Sequence, residues 1–368
     1  MRKGWEYKRW KEVLTIINGK NQSAVVDENG EYPIYGSGGI MGYANNWLCP
    51  ENCVIIGRKG NINKPIFVET KFWNVDTAFG LNANKEYLLP KFLYYFCLDY
   101  NFERHNKAVT IPSLTKADLL KIDIPLPPLS TQLAIVSELD KINELIRLKK
   151  EQLKDFDNLA QSLFYEMFGD PVENEKGWEV KKLGEICTDI TDGDHMPPPK
   201  SESGIPFITI SDIDKDTRCL NFENTFYVPE DYYNNLLENR KPQKGDLLYT
   251  VTGSYGIPVI VKTDKKFCFQ RHIALLRPNK EILSTIFLCY WVLSDGVKFM
   301  ADKVATGIAQ KTVGLNSIRK FSCILPPLPL QQLFAQRIEQ IEREKSEVQK
   351  SIQDLETLLA SRMQYWFE

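Results

Sequence analysis

The sequence contains one short motif twice, and a segment of equal length follows each copy. Leu-Pro-Pro-Leu begins at Leu126 and again 199 positions later at Leu325. A glutamine stands three residues after each motif, at Gln132 and Gln331. Residues 124–168 can be laid over 323–367 at this offset without a gap. We infer that the chain folds from two related halves and not around a single core.

Each repeated segment has the heptad pattern of a helix that pairs along a narrow seam. Steps of four and three residues from Ile135 to Met167 meet nine apolar side chains in ten positions, and the same steps from Phe334 to Trp366 meet eight. Such spacing is typical of coiled coils. A helix of roughly 38 residues is about 57 Å long. Because the segment is duplicated within the chain, we expect the two copies to pair with each other; the alternative is a zipper between two chains.

A second repeat begins each half of the chain. Gly4-Trp5-Glu6 matches Gly177-Trp178-Glu179 at an offset of 173, so the second half is 26 residues longer. The modules that follow contain β-rich runs and short helical stretches, which indicates an α+β class. The predicted strands are 52–57, 65–69, 204–210, 245–251 and 257–261, and the predicted short helices lie around 91–100 and 282–297. The predicted domains are 1–126, 127–169, 170–325 and 326–368.

Composition restricts the class of protein further. No apolar run approaches the roughly 20 residues of a membrane span, and the N-terminal residues lack a secretory pattern, so we expect a cytoplasmic protein. Among the eight cysteines only Cys49 and Cys53 lie close together, without the further ligands of a zinc site. We therefore expect reduced, mainly buried thiols and no metal. The net charge of −2 argues against indiscriminate coating of nucleic acid but permits a local basic face.

The whole arrangement resembles the specificity (S) subunit of type I restriction–modification systems, over essentially the entire chain. The resemblance rests on Gly-Trp at the start of each module, on Ile-Pro-Leu-Pro-Pro-Leu-x-x-Gln at 124–132, and on a long helical segment that ends near Phe168-Gly-Asp-Pro171. Leu-Pro-Pro-Leu alone is a weak signal. Its repetition at module spacing, with a heptad segment after each copy, is a specific one.

The resemblance implies a fold and a function. It implies two mixed α/β target recognition domains, separated by two long helices that form an antiparallel intramolecular coiled coil in a pseudo-twofold internal repeat. Each domain would read half of an asymmetric, bipartite site in double-stranded DNA. Two modification (M) subunits would dock on the helices, bring S-adenosylmethionine and methylate adenine, and restriction (R) subunits would join for cleavage. This chain itself would hold no cofactor.

Residues that touch DNA are expected in polar, glycine-bearing loops, because base edges are read by Arg, Lys, Asn, Gln, Ser and Thr, and phosphates by cations and backbone N–H groups. The loop 35–43 lacks the Gly-Lys-Ser/Thr of a phosphate-binding loop, so nucleotide binding is disfavoured and an ordinary tight turn is the alternative. In the first module we predict DNA contacts by Ser37, Gly38, Gly39, Tyr43, Arg58, Lys59, Asn61, Lys64, Lys107 and Thr110. In the second module we predict them for Thr191, His195, Thr252, Ser254, Tyr255, Gln270, Arg271, Gln310 and Lys311.

Some of these residues have other interpretations. Asp189, Asp192, Asp194 and His195 have metal-binding side chains, but the proline run that follows favours a loop. Arg271 beside Gln270 is either a base reader or part of a structural ion pair. In the heptad seams, Lys149, Lys345 and Arg362 either set the register of the helices or face a partner subunit or DNA, and we favour register.

No catalytic signature is found in the sequence. It contains no Asn/Asp-Pro-Pro-Tyr/Phe of adenine methyltransferases, no strand-linked Gly-x-Gly, no P-loop and no nuclease carboxylate–lysine set. We therefore predict a non-enzymatic subunit of a DNA methyltransferase/endonuclease complex. Two alternatives stay open: a coiled-coil adaptor that does not bind DNA, and the specificity subunit of a methylation-only or fused nuclease–methyltransferase system.

Overall fold

The protein forms two compact units in a computed structural model that describes residues 5–106, 111–195, 198–307 and 310–367. Unit 1 comprises Met1–Glu151 and Gln349–Glu368, and unit 2 comprises Gln152–Val348. Each unit therefore combines strands and short helices with one end of each of two long helices. The predicted division at 126, 169 and 325 follows sequence pattern and stays a prediction.

Unit 1 begins with a strand–helix–strand segment whose helix is a single turn. Its elements are β1 (Glu6–Arg9), α1 (Trp10–Val13), β2 (Leu14–Asn18), β3 (Tyr32–Gly36), β4 (Gly39–Ala44), β5 (Cys53–Gly57), β6 (Ile66–Val68), β7 (Trp73–Asn74), β8 (Ala78–Ala83), α2 (Pro90–Asp99), α3 (Lys116–Leu119) and β9 (Asp123–Leu126). The first long helix, α4, runs from Leu129 to Phe168.

Unit 2 begins with a segment of the same kind. Its elements are β10 (Glu179–Lys182), α5 (Leu183–Ile186), β11 (Cys187–Asp192), β12 (Ile205–Ile208), β13 (Ile213–Asp214), β14 (Cys219–Leu220), β15 (Phe226–Val228), α6 (Glu230–Asn234), β16 (Leu247–Thr250), β17 (Pro258–Ile260), β18 (Cys268–Phe269), β19 (Ile273–Pro278), α7 (Thr285–Leu293), α8 (Asp295–Val304), α9 (Leu315–Arg319) and β20 (Ser322–Leu325). The second long helix, α10, runs from Leu328 to Phe367. The strands and helices predicted from the sequence are thus found, except that the stretch 282–297 contains two helices, α7 and the start of α8.

The two units have the same strand order. A four-stranded antiparallel sheet is ordered β2-β8-β5-β6 in unit 1 and β11-β19-β16-β17 in unit 2. Each unit also has a three-stranded sheet with the same arrangement. In unit 1, β3 pairs with β4 antiparallel and with β7 parallel, and in unit 2, β12 pairs with β15 antiparallel and with β18 parallel. Strand pairs β1-β9 and β10-β20 close each module at its junction with a long helix. Unit 2 adds the hairpin β13-β14.

Apolar packing joins each sheet to its own part of the long helices. In unit 1, Val54 and Phe92 share a buried cluster with Leu139 of α4. In unit 2, Phe164 and Phe334 pack edge to face with ring centroids 5.8 Å apart. All eight cysteines are free thiols, and only Cys219 among them is exposed, which confirms the prediction of mainly buried thiols.

The glutamine of each repeated motif is fully buried and binds the backbone of its own module. Gln132 accepts a hydrogen bond from the Leu89 amide at 2.9 Å and donates to the carbonyls of Tyr87 and Pro127. Gln331 makes the equivalent bonds, accepting from the Ser284 amide at 2.9 Å and donating to the carbonyls of Ile282 and Pro326. One side chain thus fixes the first turn of a long helix to the start of α2 or α7.

Charged side chains connect the long helices inside each unit. In unit 1, Arg362 of α10 donates to both carboxylate oxygens of Glu138 of α4, at 2.5 and 3.1 Å. In unit 2, the Lys345 ammonium group lies 2.8 Å from a carboxylate oxygen of Asp157. Arg362 and Lys345 interrupt the apolar seams, and these ion pairs support a role in helix register.

We predict that replacing the buried glutamine weakens unit 2. Gln331→Ala would leave the Ser284 amide and the Ile282 carbonyl unpaired, at about 1–3 kcal/mol for each buried group. We expect a loss of about 2–4 kcal/mol in the free energy of unfolding, measured by urea denaturation, with faster hydrogen exchange in α7. The exposed neighbour Gln332 is the control, since Gln332→Ala should change stability by less than about 0.5 kcal/mol. Equal effects of the two variants would contradict the proposed role.

The Glu138–Arg362 pair predicts a pH dependence. The hydrogen bonds from Arg362 lower the pKa of Glu138. A lowered carboxylate pKa stabilises the folded state above the unfolded value of about 4.3, and this contribution is lost as the pH falls through the folded value. Arg362→Ala should therefore lower the melting temperature at pH 6–7, and the difference from wild type should shrink below about pH 4.3. The control Arg337→Ala, at an exposed position of α10, should show no such change, and a pH-independent deficit for Arg362→Ala would exclude the mechanism.

Candidate nucleic-acid interface

The candidate loops of unit 1 lie at one end of the four-stranded sheet, where β5 ends and β8 begins. Gly57 at the end of β5 pairs with Ala78 at the start of β8, so these two strand ends lie side by side at the same end of the sheet. The chain continues past Gly57 into the exposed loop 58–64, and the Arg58 amide donates to the Thr77 carbonyl at 2.8 Å. This end of the sheet therefore carries four polar residues of one loop, namely Arg58, Lys59, Asn61 and Lys64.

A second segment is tied to this loop by backbone hydrogen bonds. The Leu114 amide donates to the Arg58 carbonyl at 2.9 Å, and the Gly60 amide donates to the Pro112 carbonyl at 3.1 Å. Unit 2 repeats both bonds: the Val313 amide donates to Val251 at 2.9 Å, and the Gly253 amide donates to Lys311 at 3.0 Å. We call 58–61 and 251–254 the strand-end loops.

The strand-end loops share their backbone but not their side chains. Gly60 and Gly253 have φ angles of 79° and 70°, a left-handed conformation that costs a residue with a Cβ roughly 1–2 kcal/mol. Around this common glycine, unit 1 has Arg58, Lys59 and Asn61, and unit 2 has Val251, Thr252 and Ser254. The exposed side chains at this position are therefore two cations and an amide in unit 1, whereas in unit 2 only the Ser254 hydroxyl is exposed, because Val251 and Thr252 are buried.

The glycine-rich hairpin of unit 1 lies beside its strand-end loop. Gly38 forms the turn between β3 and β4, and a Cβ built on it would lie 3.9 Å from the Asn61 side-chain nitrogen. Ser37 and Gly39 flank this contact in the same turn. Tyr43 is exposed but lies further along β4, opposite Pro33. Lys107 and Thr110 lie outside the described residues.

In unit 2, polar side chains surround Gly253. The Thr312 hydroxyl lies 3.3 Å from that of Thr252, and the Lys215 ammonium group donates to the Ser254 hydroxyl at 3.1 Å. A Cβ on Gly253 would lie 3.4 Å from the Gln310 side-chain nitrogen, so Gln310 and Lys311 belong to this group. The Tyr255 hydroxyl donates to Asp302, and that hydrogen bond raises the pKa of Tyr255.

A second polar group lies at the ends of β11 and β19. The His195 ring nitrogen lies 2.9 Å from a carboxylate oxygen of Asp192, and Arg240 approaches the other oxygen at 3.6 Å. Gln270 pairs with Asp194 through the backbone, and Arg271 is exposed beside it. The polar group around Gly253 and the polar group around Asp192 lie at the same end of the sheet, because Thr250, at the end of β16, pairs with Ile273, at the start of β19.

The structure changes the interpretation of two predicted DNA-contact residues, Thr191 and Thr252, because both are buried. Thr191 is only 9% exposed on β11 and Thr252 only 7% exposed after β16, so neither side chain reaches the surface with the others. Asp189 pairs with Arg277 at 3.4 Å, away from Asp192 and Asp194. Within the described ranges, no group of three or more His, Cys, Asp or Glu side chains is placed to hold a metal ion.

Sequence reasoning missed Lys215 and Arg240. Lys215 lies in the turn between β13 and β14 and is distant in sequence from Ser254, which it contacts. Arg240 ends a short 3₁₀ turn, Glu238–Arg240, and its closeness to Asp192 depends on the path of the loop after α6. Neither residue has a local motif, so only the fold reveals its neighbours.

Comparison with known proteins identifies the family. The model described as "Type I restriction modification DNA specificity domain" matches residues 2–155 and 175–357, and the chain belongs to this family of specificity subunits. The resemblance seen in the sequence is thereby confirmed. No helix among the described residues is long and apolar enough to cross a membrane.

Relatives match along most of the chain. The MjaVIII specificity subunit of Methanocaldococcus jannaschii is 23% identical over 96% of this chain and 92% of its own length. The EcoBI specificity subunit of Escherichia coli is 22% identical over 88% of this chain and 73% of its own length. The crystal structure of the type I S subunit from M. genitalium shares the fold, with a TM-score of 0.57 and 14% identity over 100% of this chain and 98% of that one. A chain from a structural study of complex assembly in a type I R-M system gives a TM-score of 0.63 at 19% identity, over 99% of this chain and 97% of that one.

Proposed function

We propose that each unit reads one half of an asymmetric, bipartite DNA site, and that the chain thereby directs a type I restriction–modification complex. The observation that carries this proposal is the pair of strand-end loops. Their backbone hydrogen bonds are the same, but Arg58, Lys59 and Asn61 stand where Val251, Thr252 and Ser254 stand in the other unit. Hydrogen-bond donors and acceptors on polar side chains discriminate base pairs in the major groove. Two units with the same backbone but different loop side chains would therefore read half-sites of different sequence.

The two long helices act in this proposal as a spacer. We infer an antiparallel intramolecular coiled coil with a pseudo-twofold repeat, supported by the Glu138–Arg362 pair in unit 1 and the Asp157–Lys345 pair in unit 2. In the first pair the first half of α4 meets the end of α10, and in the second the second half of α4 meets the first half of α10. Half-sites on one face of DNA recur every helical turn of about 34–36 Å, so a rigid spacer would fix the gap between them.

Catalysis is assigned to partner subunits. Two M subunits would dock on the long helices, hold S-adenosylmethionine and methylate adenine in each half-site, and R subunits would add cleavage. Family membership supports this division of roles, as does the lack of a catalytic sequence signature in this chain. The chain would supply recognition and assembly without a cofactor of its own.

Gene deletion tests the proposed function directly. A methylome of the source cell should contain one interrupted, asymmetric adenine-methylated motif that disappears when this gene is deleted. The variant Ser254→Ala should relax or change one half of the motif and leave the other half intact, because only unit 2 is altered. An unchanged methylome after deletion, with the partner genes expressed, would leave an adaptor function instead.

Removing cations from the unit 1 loop should change the salt dependence of DNA binding. Each neutralised phosphate contributes about 0.9 to the slope of log K against log salt concentration. Arg58→Ala/Lys59→Ala should therefore reduce the magnitude of that slope by about 1–2 in a fluorescence anisotropy titration of the assembled methyltransferase. The control Lys11→Ala/Lys85→Ala removes the same charge at the opposite end of the sheet, where β2 begins and β8 ends, and should leave the slope unchanged. Equal slopes for both double variants would place the phosphate contacts elsewhere.

A further inference from the structure

The hairpin between β3 and β4 carries two large, exposed apolar side chains at its tip. Ile40 is 56% exposed and Met41 is 64% exposed, and both follow the turn 37–38 at the start of β4. β4 is the edge strand of its three-stranded sheet. Proteins usually protect such edges with charged residues, because exposed apolar edges promote association. An adjacent apolar pair at this place therefore indicates a contact with another molecule.

A β-bulge and two glycines shape the tip of the hairpin. The register shifts after the pair Tyr35–Ile40, and Met41 is the extra residue of this bulge. Bulges change the direction of side chains and are common beside functional sites. A Cβ on Gly39 or Gly42 would meet no described atom within 4 Å. The backbone on both sides of Ile40 and Met41 is therefore open to a close ligand.

Backbone hydrogen bonds connect the tip to the strand-end loop of unit 1. The Tyr35 carbonyl, on the residue that pairs with Ile40, accepts from the Val75 amide at 2.9 Å. Two residues further along the same turn, the Thr77 carbonyl accepts from the Arg58 amide at 2.8 Å. The apolar tip and the cationic loop are thus held to one short segment of the chain.

The surroundings of the tip suit nucleic acid. The loop 58–64 holds three cations and no acidic residue, whereas the connecting turn 75–77 holds one acid, Asp76. The Asn61 amide lies beside Gly38. Cations bind phosphates, and an amide can read a base edge. Two side chains offer too little area for a standard protein interface, which buries roughly 800 Å² on each side. These observations favour DNA as the molecule that covers the tip.

Unit 2 has a different arrangement at this place. Its strands β12 and β15, the counterparts of β3 and β4, are separated by the hairpin β13-β14 instead of a two-residue turn. Lys215 of that hairpin donates to Ser254 of the strand-end loop at 3.1 Å. An ammonium group thus approaches the loop in unit 2, whereas an apolar pair lies near the loop in unit 1. An apolar contact with DNA would therefore belong to one half-site only.

We propose that Ile40 and Met41 contact the 5-methyl group of a thymine in the half-site read by unit 1. This methyl is the apolar group that a thymine presents in the major groove, and contact with it distinguishes thymine from cytosine. Ile40 offers no hydrogen-bonding group, and the thioether of Met41 is only a weak acceptor, so recognition at this base depends on the methyl group. The inference rests on the proposed function and adds two residues that determine its specificity.

Deoxyuridine is the probe in the first test, because it lacks the methyl group but keeps every hydrogen-bonding group of thymine. The assembled methyltransferase is titrated by fluorescence anisotropy with duplexes in which deoxyuridine replaces one thymine at a time, in the half-site that Ser254→Ala leaves intact. That half-site contains at least the thymine opposite its methylated adenine. Wild type should lose affinity about fourfold at one position, the ratio expected for burying one methyl group. Unchanged affinity for every substituted duplex overturns the inference, and this measurement needs no variant.

The variant Ile40→Ala/Met41→Ala tests the assignment to these two side chains. It should bind the natural duplex about as weakly as wild type binds the sensitive deoxyuridine duplex, and it should no longer distinguish the two duplexes. Leu98→Ala, at an exposed position of α2, is the matched control and should keep the fourfold difference. A double variant that still distinguishes thymine from deoxyuridine overturns the assignment.

Other outcomes would identify a different contact. Weaker binding by the double variant, with a wild type that is insensitive to deoxyuridine, would mean insertion of the side chains between bases. Failure of the double variant to assemble with its partner subunits would mean that the tip docks on a protein. Both results overturn the methyl contact. Sequence-specific binding without any effect of deoxyuridine overturns this inference alone, whereas the lack of sequence-specific binding by the assembled wild type overturns the proposed function.

Discussion

The buried glutamine at the start of each long helix is the interaction on which the arrangement of each unit depends. The prolines before it supply carbonyl groups but no N–H, and the glutamine amide binds one of these carbonyls together with two backbone groups of the module. Because α2 and α7 pack on the sheets, fixing their first turns to α4 and α10 also fixes the sheets. The repeated motif is thus a structural joint, and its chemistry explains why leucine, proline and glutamine recur together.

Because of this contact, the residues that hold each unit together are different from the residues that are expected to recognise DNA. Gln132 and Gln331 are fully buried, and all their hydrogen bonds are made within their own modules. They therefore do not restrict the side chains of the loops at the far end of each sheet. Those loops carry the exposed side chains of Arg58, Lys59, Asn61 and Ser254, and they are bound to the framework through backbone groups, which any side chain leaves available. A net charge of −2 is compatible with DNA recognition for the same reason, since a few cations in one loop suffice for local attraction while the rest of the surface is balanced.

Much of the framework could be predicted from the sequence because its signals are local. Proline and heptad spacing placed the first long helix at 127–169, against Leu129–Phe168 in the structure. The contacts of the candidate site are not local. Lys215 meets Ser254, and Gln310 lies beside Gly253, only because β13-β14 and the segment before α9 return to the end of β16. Thr191 looked exposed in a polar run, but the sheet register turns its side chain inward.

The duplication makes each unit a control for the other and separates two kinds of position. Where both units keep a residue and its bonds, as at Gln132 and Gln331 or Gly60 and Gly253, the backbone requires it. Where equivalent exposed residues differ on an unchanged backbone, as at Asn61 and Ser254, the difference is free to encode recognition.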